Sequence, residues 1–582
     1  MKKGVPLIAV LLLLFRFVAA GQPSPALQIV NANGNAALSW TGGSVPLFSL
    51  QTTTNLLPPI MWTDLLPVAG TGNTNVPMAN SQQFFRLAQV LPIFQFAIFY
   101  NLDLEVDPGG YLAINAPAFC NGGIWSGTPN VSYLSTVAAV GKVYYAPNNG
   151  TDPFCSGKVD SGGAGSGTPI GNFAYPPLSG AGPLTLVGFG TNTSSAATRS
   201  ILDLPPPACA MGTPAAYSPT GAVYLANAAD LYLTNFPNGT NWTTLTPRGT
   251  NMILYYQDAA NGPDNYLTSV PYDFYITTNV SPAHHGLSFT NYVPASQWTN
   301  SIGETNRIWY AGYSFVTNAI FYDWREGWNA GNGPPKTVQA VQIDIAKFNS
   351  WLTNTAANNG GKTYNDLCQL PSHKSHPIDS IFVYNAVPLT ATTLPTARVV
   401  NGGMLPSQTA PYGFTVVTPM PLYVYGNYNV SNSLGSSLGQ NSTTYTWPAA
   451  LMADAITILS TNWLDANSAP ANKAVCTSGG PTPKTTTVNA AMLEGIVPST
   501  NGIYSGGLEN FLRLLENWSG GVPLWYNGSF IVMFPSQYAT NYQQITGKYY
   551  NAPVRCWAFD TNFVQLAGLP PLTPTVVNDV TP

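Results

Sequence analysis

Residues 421–427 have the sequence PLYVYGN, a short apolar run that ends at a glycine and an asparagine. Runs of the same kind return at 455–459 (AITIL), 486–494 (TTVNAAMLE) and 530–534 (FIVMF). Short apolar runs that return every ~20–45 residues suit the stacked coils of a parallel β-solenoid. Because the intervals are irregular, an irregular β-sandwich or another mixed-β fold is the alternative. We therefore predict a mainly β body over 94–567, built as a partly irregular parallel β-solenoid with a few helices.

The composition favours the same fold class and excludes others. Only 8% of the residues are charged, against about 25% in an average soluble domain. Hydrophobic residues make up 45%, and 54 glycines and 51 prolines indicate many turns. Stacked backbone hydrogen bonds, with ladders of Asn or Thr, would hold such a chain together without surface charge. A formal charge of −4 offers no electrostatic reason for nucleic-acid binding.

Some segments of the body have helical spacing. Residues 338–352 carry apolar side chains on one helix face, and 448–459 begins with a proline and continues rich in alanine. Residues 507–518 have the clearest pattern, with an i, i+4 pair of Glu509 and Arg513 on the opposite side. Its apolar positions are Leu508, Phe511, Leu512, Leu515 and Trp518.

The N-terminus has the pattern of a secretory signal peptide. Lys2 and Lys3 precede an apolar run at 5–18, and small residues at 18–20 predict cleavage after residue 20. A prepilin leader is the alternative, but the glutamate that it requires is replaced by Ala9. We expect a chain that is secreted or placed at the cell surface or in the periplasm, without a transmembrane segment in its mature form.

Residues 25–90 contain short β-prone runs separated by Gly, Asn and Pro, which predicts a small β-sandwich module. We expect Trp40 and Trp62 in its core. The joint to the body is expected at 88–93, and the Pro-rich end at 568–582 is expected to be frayed.

The cysteines of the mature chain are even in number, and disulfides are permitted in an exported protein. No CxxC pair occurs, and the spacing does not suit a zinc site. The disulfide candidates are Cys120, Cys155, Cys209, Cys368, Cys476 and Cys556.

Asp103, Glu105 and Asp107 alternate along the sequence NLDLEVDPG. Strand geometry would place these carboxylates on one face, where hard oxygen donors could hold Ca²⁺. The alternative is a solvent-facing strand without an ion. Calcium is the one cofactor that the sequence suggests.

A second charged cluster lies in the sequence FYDWREGW. Asp323 and Glu326 could act as acid and nucleophile of a glycosidase, and Trp324 and Trp328 could stack on a sugar. The alternative is a structural pair between Arg325 and a carboxylate that stabilises a turn.

The histidines give no zinc-protease motif. His373 and His376 form H-x-x-H, but the glutamate of H-E-x-x-H is missing and Pro377 follows. Cys368 could join them in a Cys/His site, although a disulfide is the more natural fate in an oxidising compartment. No Walker loop of the form G-x-x-x-x-G-K-[ST] occurs.

Three blocks of the body also resemble a known family. They are FAIFYNLDLEVDPGGYLAINAPAFCNGGIW at 96–125, IFYDWREGW and KTVQAVQIDIAKFNSWL within 320–352, and a series from PLYVYGNYN to RCWAFDTNF within 421–563. Together they resemble large uncharacterised exported bacterial proteins that are often described as type IV pilus-associated (PilX-like). The order LSW, FSLQTTTNL, MWTDL and FFRL within 38–87 resembles a fibronectin-III-like module.

The sequence thus predicts an exported, non-enzymatic structural protein of the surface or extracellular space. The resemblance implies an adhesive or pilus-associated role. Other surface or pilus proteins, or extracellular glycans, would be its partners. The alternative is a carbohydrate-binding or carbohydrate-active protein, motivated by the aromatic content and the cluster at 323–328.

Overall fold

The computed structural model describes most of the chain between residues 26 and 578. The described residues are 26–32, 35–41, 47–54, 63–68, 72–78, 83–108, 110–144, 170–189, 193–209, 213–218, 221–235, 252–257, 267–269, 273–278, 291–293, 307–312, 315–327, 333–353, 363, 365, 376–406, 413–470, 482–499, 505–542 and 549–578. This part of the protein is mainly β, as the sequence predicts. The predicted signal peptide at 1–20 and Trp62 lie outside it.

The N-terminal region forms two antiparallel sheets that share a core. The first sheet contains Ala26–Ala32, Asn35–Thr41 and Gly72–Pro77. The other N-terminal sheet contains, in spatial order, Leu184–Leu186, Thr575–Asn578, Phe84–Pro92, Leu47–Thr53 and Thr63–Val68. Trp40 is buried between the sheets with Leu38, Leu50 and Phe85, so its predicted core position is confirmed.

Residues 575–578 form a strand within the segment that the sequence predicts to be frayed. Thr575–Asn578 lies between Leu184–Leu186 and Phe84–Pro92, with Val576 and Val577 buried. The prediction for 568–582 is therefore wrong at these positions. Strand Phe84–Pro92 also continues through most of the expected joint at 88–93. A short apolar segment at a chain end is ordered when an unpaired strand edge is available to it.

One long sheet runs through the body and contains twelve strands, the first ten of which pair in parallel. In spatial order these are Leu178–Ser179, Val137–Ala139, Ala118–Cys120, Ile98–Tyr100, Phe530–Pro535, Ala491–Ile496, Ala449–Met452, Phe414–Val417, Ser380–Asn385 and Leu231–Asn235. Met252–Gln257 and Leu267–Ser269 complete the sheet in antiparallel pairing.

Further sheets accompany the long sheet. The second sheet contains Val316–Asp323, Lys336–Asp344, Thr393–Val400, Leu422–Tyr425, Ile456–Leu459 and Arg513–Leu514, and only its first pair is antiparallel. The third sheet is parallel and contains Thr486–Asn489, Pro523–Gly528 and Val554–Phe559. A fourth sheet is centred on Ile124–Tyr133, which pairs in parallel with Leu104–Val106, Leu112–Ile114, Val143–Tyr144 and Ile170–Phe173.

The remaining elements are small. An antiparallel sheet contains Asp273–Thr278, Asn291–Val293 and Arg307–Gly312, and a hairpin joins Ser431–Asn432 to Gly435–Ser436. The α-helices of the described residues are Ser195–Arg199, Leu225–Ala228, Trp324–Gly327 and Ile345–Leu352. The 3₁₀ turns are Ile93–Gln95, Pro207–Cys209, Pro214–Tyr217, Gly221–Val223, Asp465–Ser468, Leu508–Asn510, Thr561–Val564 and Leu566–Gly568.

The predicted helices are largely wrong. Within 338–352, only Ile345–Leu352 is helical, and the preceding Lys336–Asp344 is a strand. Residues 448–459 form two strands, and 507–518 contains a 3₁₀ turn and a short strand. The apolar positions predicted within 507–518 are nevertheless all buried. A compact turn that is buried on all sides can have the same apolar spacing as a helix. The spacing shows which residues are buried, but it does not show the conformation of the backbone between them.

Side chains stack in register between neighbouring parallel strands. Phe99 and Phe119 occupy paired positions with ring centroids 5.6 Å apart, and the rings of Tyr133 and Phe173 are 4.6 Å apart. Asparagines at the strand ends also form hydrogen bonds from one strand to its neighbour. Their bonds are Asn527 Nδ2 to Asn489 Oδ1 at 2.6 Å, Asn235 Nδ2 to Asn385 Oδ1 at 2.9 Å and Asn121 Nδ2 to Asn101 Oδ1 at 2.8 Å. Each of these bonds joins two asparagines at, or directly next to, the ends of neighbouring parallel strands.

Candidate functional site

The charged cluster around Asp323 lies at a junction between a strand and a helix. Strand Val316–Asp323 ends where helix Trp324–Gly327 begins, and Asp323 Oδ1 accepts a hydrogen bond from the Glu326 backbone N–H at 3.0 Å. The other carboxylate oxygen accepts from the hydroxyl of Tyr423 at 2.6 Å. Asp323 therefore ends the strand, caps the helix and connects both to strand Leu422–Tyr425 of the same sheet.

Glu326 is held from two sides. One carboxylate oxygen forms an ion pair with Arg513, and the other accepts the backbone N–H of Thr540 at 3.0 Å. Arg513 also donates to the carbonyl of Ala539 at 3.0 Å. Burial raises the pKa of Glu326, and the Arg513 guanidinium acts in the opposite direction. The carboxylate is thus bound on both oxygens inside the protein.

This geometry favours the structural interpretation of the cluster over the catalytic one. Asp323 and Glu326 are buried, and their oxygens contact protein groups. The ion pair of Glu326 is with Arg513, while Arg325 donates to the Asn541 carbonyl at 3.3 Å. The predicted i, i+4 pair of Arg513 with Glu509 is therefore replaced by a contact with a remote segment.

Trp324, one of the two tryptophans expected in a sugar platform, does not lie at the surface. Trp324 is buried, and its indole N–H donates to the Ser468 carbonyl at 2.9 Å. A stacking platform needs an exposed ring face, which Trp324 lacks. Trp328 lies outside the described residues.

The predicted calcium cluster at Asp103, Glu105 and Asp107 is not formed. The strand covers only Leu104–Val106, so the two aspartates lie beyond its ends. Asp103 accepts from the Gly123 backbone N–H at 2.9 Å, and Glu105 accepts from the Ser499 hydroxyl at 2.7 Å. These carboxylates are not among the described Asp, Glu, His and Cys groups whose ligand atoms converge within 4.8 Å.

The described cysteines are free thiols. Cys120, Cys209 and Cys556 form no disulfide, which removes these three from the predicted framework. Cys120 lies in the core with its sulfur 2.9 Å from the Leu102 carbonyl oxygen, and burial raises the pKa of its thiol. The remaining candidates lie outside the described residues: Cys155, Cys368 and Cys476.

A convergent cluster that the sequence does not predict is present at one end of the long sheet. Asp230 precedes strand Leu231–Asn235, and Asp379 precedes the parallel neighbour Ser380–Asn385. His376 Nδ1 is 3.1 Å from the Asp379 carboxylate and 3.9 Å from that of Asp230. Among the described residues, this is the group of His, Cys, Asp and Glu side chains whose ligand atoms lie within 4.8 Å of one another.

The charged groups of this cluster change one another's pKa values. The hydrogen bond with Asp379 raises the pKa of His376 to about 9, against the effect of burial. Burial raises the pKa of Asp379 to about 6. The backbone N–H of Asp379 also donates to the Asp230 carboxylate at 2.8 Å, which holds the two acids together.

The sequence contains part of the signal for this cluster. His376 is noted in the H-x-x-H pattern, and Asp379 follows it by three residues. Asp230 is 149 residues away from Asp379 and could be found only by knowing which strands pair. His373, the other member of H-x-x-H, lies outside the described residues, as do His284 and His285.

Neither the helices of the described residues nor the comparisons with known proteins assign a function. In the part of the chain that the structure describes, no helix combines the length and hydrophobicity that a bilayer crossing needs. No protein-family model, no curated protein and no solved structure matches this chain. The function is therefore argued from the geometry of the molecule itself.

Proposed function

We propose that this chain is an exported, non-enzymatic structural protein of the cell surface or extracellular space, and that its body is a parallel β-solenoid. The observation that carries the proposal is the long sheet, in which ten parallel strands stack and aligned side chains meet, as Phe99 does with Phe119 and Asn235 with Asn385. Such a stack gains its cohesion from main-chain pairing along one axis, which suits a structural element.

The path of the chain supports the solenoid. Strand Ala449–Met452 lies in the long sheet, Ile456–Leu459 in the second sheet and Thr486–Asn489 in the third. The chain then returns to the long sheet as Ala491–Ile496, in parallel pairing beside the strand from which it started. One coil of a solenoid follows this path. The next coil repeats it and ends at Phe530–Pro535.

Buried charge serves cohesion between coils. The Arg199 guanidinium donates to the Pro419 carbonyl at 2.5 Å and lies 3.6 Å from the Asp454 carboxylate. It also packs 4.9 Å from the centroid of the Phe534 ring. Pro419 and Asp454 each follow a strand of the long sheet, and Phe534 lies within a third strand, so one side chain connects three strands. Arg513 and Glu326 connect remote segments in the same manner.

Export is tested by locating the protein and reading its first residue. Fractionation of the producing cells, with mass spectrometry of the intact chain, should find it outside the cytoplasm and beginning at residue 21. A full-length chain retained in the cytoplasm would refute export. An adhesive or pilus-associated role rests on the sequence resemblance and is tested by co-purification with sheared surface appendages. Absence from that fraction would remove the pilus association and leave the structural proposal standing.

Carbohydrate binding is the second candidate, and one observation favours it. Trp125 and Tyr144 occupy paired positions, with ring centroids 4.9 Å apart and planes 21° from parallel. Their sequence neighbours Ile124 and Val143 point into the core, so the two rings lie on the outer face and are half-buried. A glycan array that compares the wild type with Trp125→Ala tests this. Tyr111→Ala is the control, because its ring is 69% exposed at another position. No binding, or equal binding by both variants, would refute it.

A further inference from the structure

The cluster of Asp230, His376 and Asp379 is assembled by strand pairing. Strands Leu231–Asn235 and Ser380–Asn385 are parallel neighbours, with Leu231 opposite Ile381. Each is preceded by an aspartate, so both carboxylates leave the same end of the long sheet. Parallel pairing therefore places two acids side by side on rigid elements, and a separate segment brings the imidazole to them.

The distances within the cluster suit a metal ion. His376 Nδ1 is 3.1 Å from Asp379 Oδ2 and 3.9 Å from Asp230 Oδ2. Tetrahedral ligands bound at about 2.0–2.1 Å lie about 3.4 Å apart, which falls between these two values. The Pro377 carbonyl oxygen, 2.9 Å from the same nitrogen, offers a fourth donor. Nδ1 therefore faces three oxygens, and a cation bound to it would lie among them.

The burial of the donors is uneven. The side chains of Asp230 and Asp379 are 2% and 12% exposed, while that of His376 is 32% exposed. Buried carboxylates are paired with a cation or coordinate a metal, because an isolated buried charge is costly. The histidine side gives an ion access from solvent, and the two acids together match the charge of a divalent cation.

We propose that Asp230, His376 and Asp379 bind a divalent first-row transition ion, with Zn²⁺ the best match, and that the ion fastens two neighbouring strands at the end of the long sheet. One imidazole and two carboxylates form a mixed N/O donor set, which suits Zn²⁺ or Mn²⁺ better than Ca²⁺ or Mg²⁺. The role is structural, and it requires neither export nor the solenoid to hold.

Zn²⁺ titration of the mature full-length chain tests the proposal. After treatment with a chelator and its removal, calorimetry should show one Zn²⁺ bound per chain at this site, and added Zn²⁺ should raise the midpoint of thermal unfolding. His376→Gln and Asp379→Asn should each weaken this binding by at least about tenfold. Asp560→Asn is the matched control, since Asp560 is also buried but bonds to Thr443 and the Asn562 backbone.

The outcomes separate the proposal from its competitors. No stoichiometric binding of Zn²⁺ or Mn²⁺ by the wild type would overturn it and leave an ion triad held by a proton on His376. Unchanged affinity in His376→Gln would also overturn it, and because that side chain is partly exposed, this variant should fold. Absorption of the Co²⁺-loaded wild type gives a second readout, since a thiolate-to-metal band would assign the ion to a cysteine site instead.

Discussion

Two charged clusters of this molecule differ in burial and in how completely their charges are matched. Asp323, Glu326 and Arg513 lie inside the protein, where the pair of Glu326 with Arg513 balances one negative and one positive charge. Asp230 and Asp379 instead place two carboxylates beside one partly exposed imidazole. The first cluster is complete without a ligand, and the second has room for a cation. In a chain with 8% charged residues, proximity alone therefore does not identify a site.

The largest expected effect concerns the complete cluster. Glu326→Ala leaves the buried guanidinium of Arg513 without its counter-charge, so the free energy of unfolding should fall by about 3–5 kcal/mol. Urea denaturation followed by tryptophan fluorescence measures the loss. Glu326→Gln keeps an acceptor for the Thr540 backbone N–H and is the matched variant. A loss below about 1 kcal/mol for Glu326→Ala would mean that the pair behaves like an exposed one.

The second effect concerns a buried carboxylate that is bound by a serine, in contrast to Glu326, which is bound by an arginine. Glu516 accepts from the Ser460 backbone N–H at 2.6 Å and from its hydroxyl at 2.7 Å, and burial raises its pKa to about 7. The folded state therefore holds a proton that the unfolded chain releases above its usual pKa of about 4.3. Protonated Glu516 therefore contributes about 3 kcal/mol to the free energy of unfolding. The contribution is fully present below about pH 4.3 and is lost as the pH rises through 7.

Glu516→Gln provides the measurement for that effect. Its amide does not titrate, so the stability difference between variant and wild type should grow in favour of the variant between pH 4 and pH 8. Urea denaturation at several pH values within this interval follows the difference. A difference that stays constant would show that Glu516 does not carry the pH dependence.

The third effect concerns Trp324, which the sequence offers as a sugar platform. Trp324→Phe removes the donor to the Ser468 carbonyl and part of a buried ring. Stability should fall by about 1–2 kcal/mol. Binding to any glycan found on the array should not change, because the ring is inside the protein. A selective loss of glycan binding at unchanged stability would contradict the buried geometry.

The smallest effect is expected at the predicted calcium residues. Asp103 is exposed and accepts from the Gly123 backbone N–H, so Asp103→Asn should change stability by less than about 0.5 kcal/mol. Thermal unfolding of the wild type should also be the same with Ca²⁺ and with a chelator of Ca²⁺. A midpoint that rises with Ca²⁺ in the wild type, and not in Asp103→Asn, would restore the calcium site.

The amino-acid sequence by itself determined the fold class and much of the interior. Short apolar runs beside Gly and Asn predict the parallel strands, and the asparagines that end them bond to one another. Trp40 and the apolar positions within 507–518 are buried as their patterns indicate. These properties follow from side-chain character within a few residues, which sequence periodicity records directly.

Only the tertiary structure decided which distant residues meet. Arg513 pairs with Glu326 across 187 positions, and Asp379 meets Asp230 across 149. Strand Ile98–Tyr100 pairs with Phe530–Pro535, so the two ends of the body join inside the long sheet. A local pattern carries no information about which strand becomes the neighbour of another. That choice depends on the free energy of the whole packed core, and the charged clusters form where it brings strand ends together.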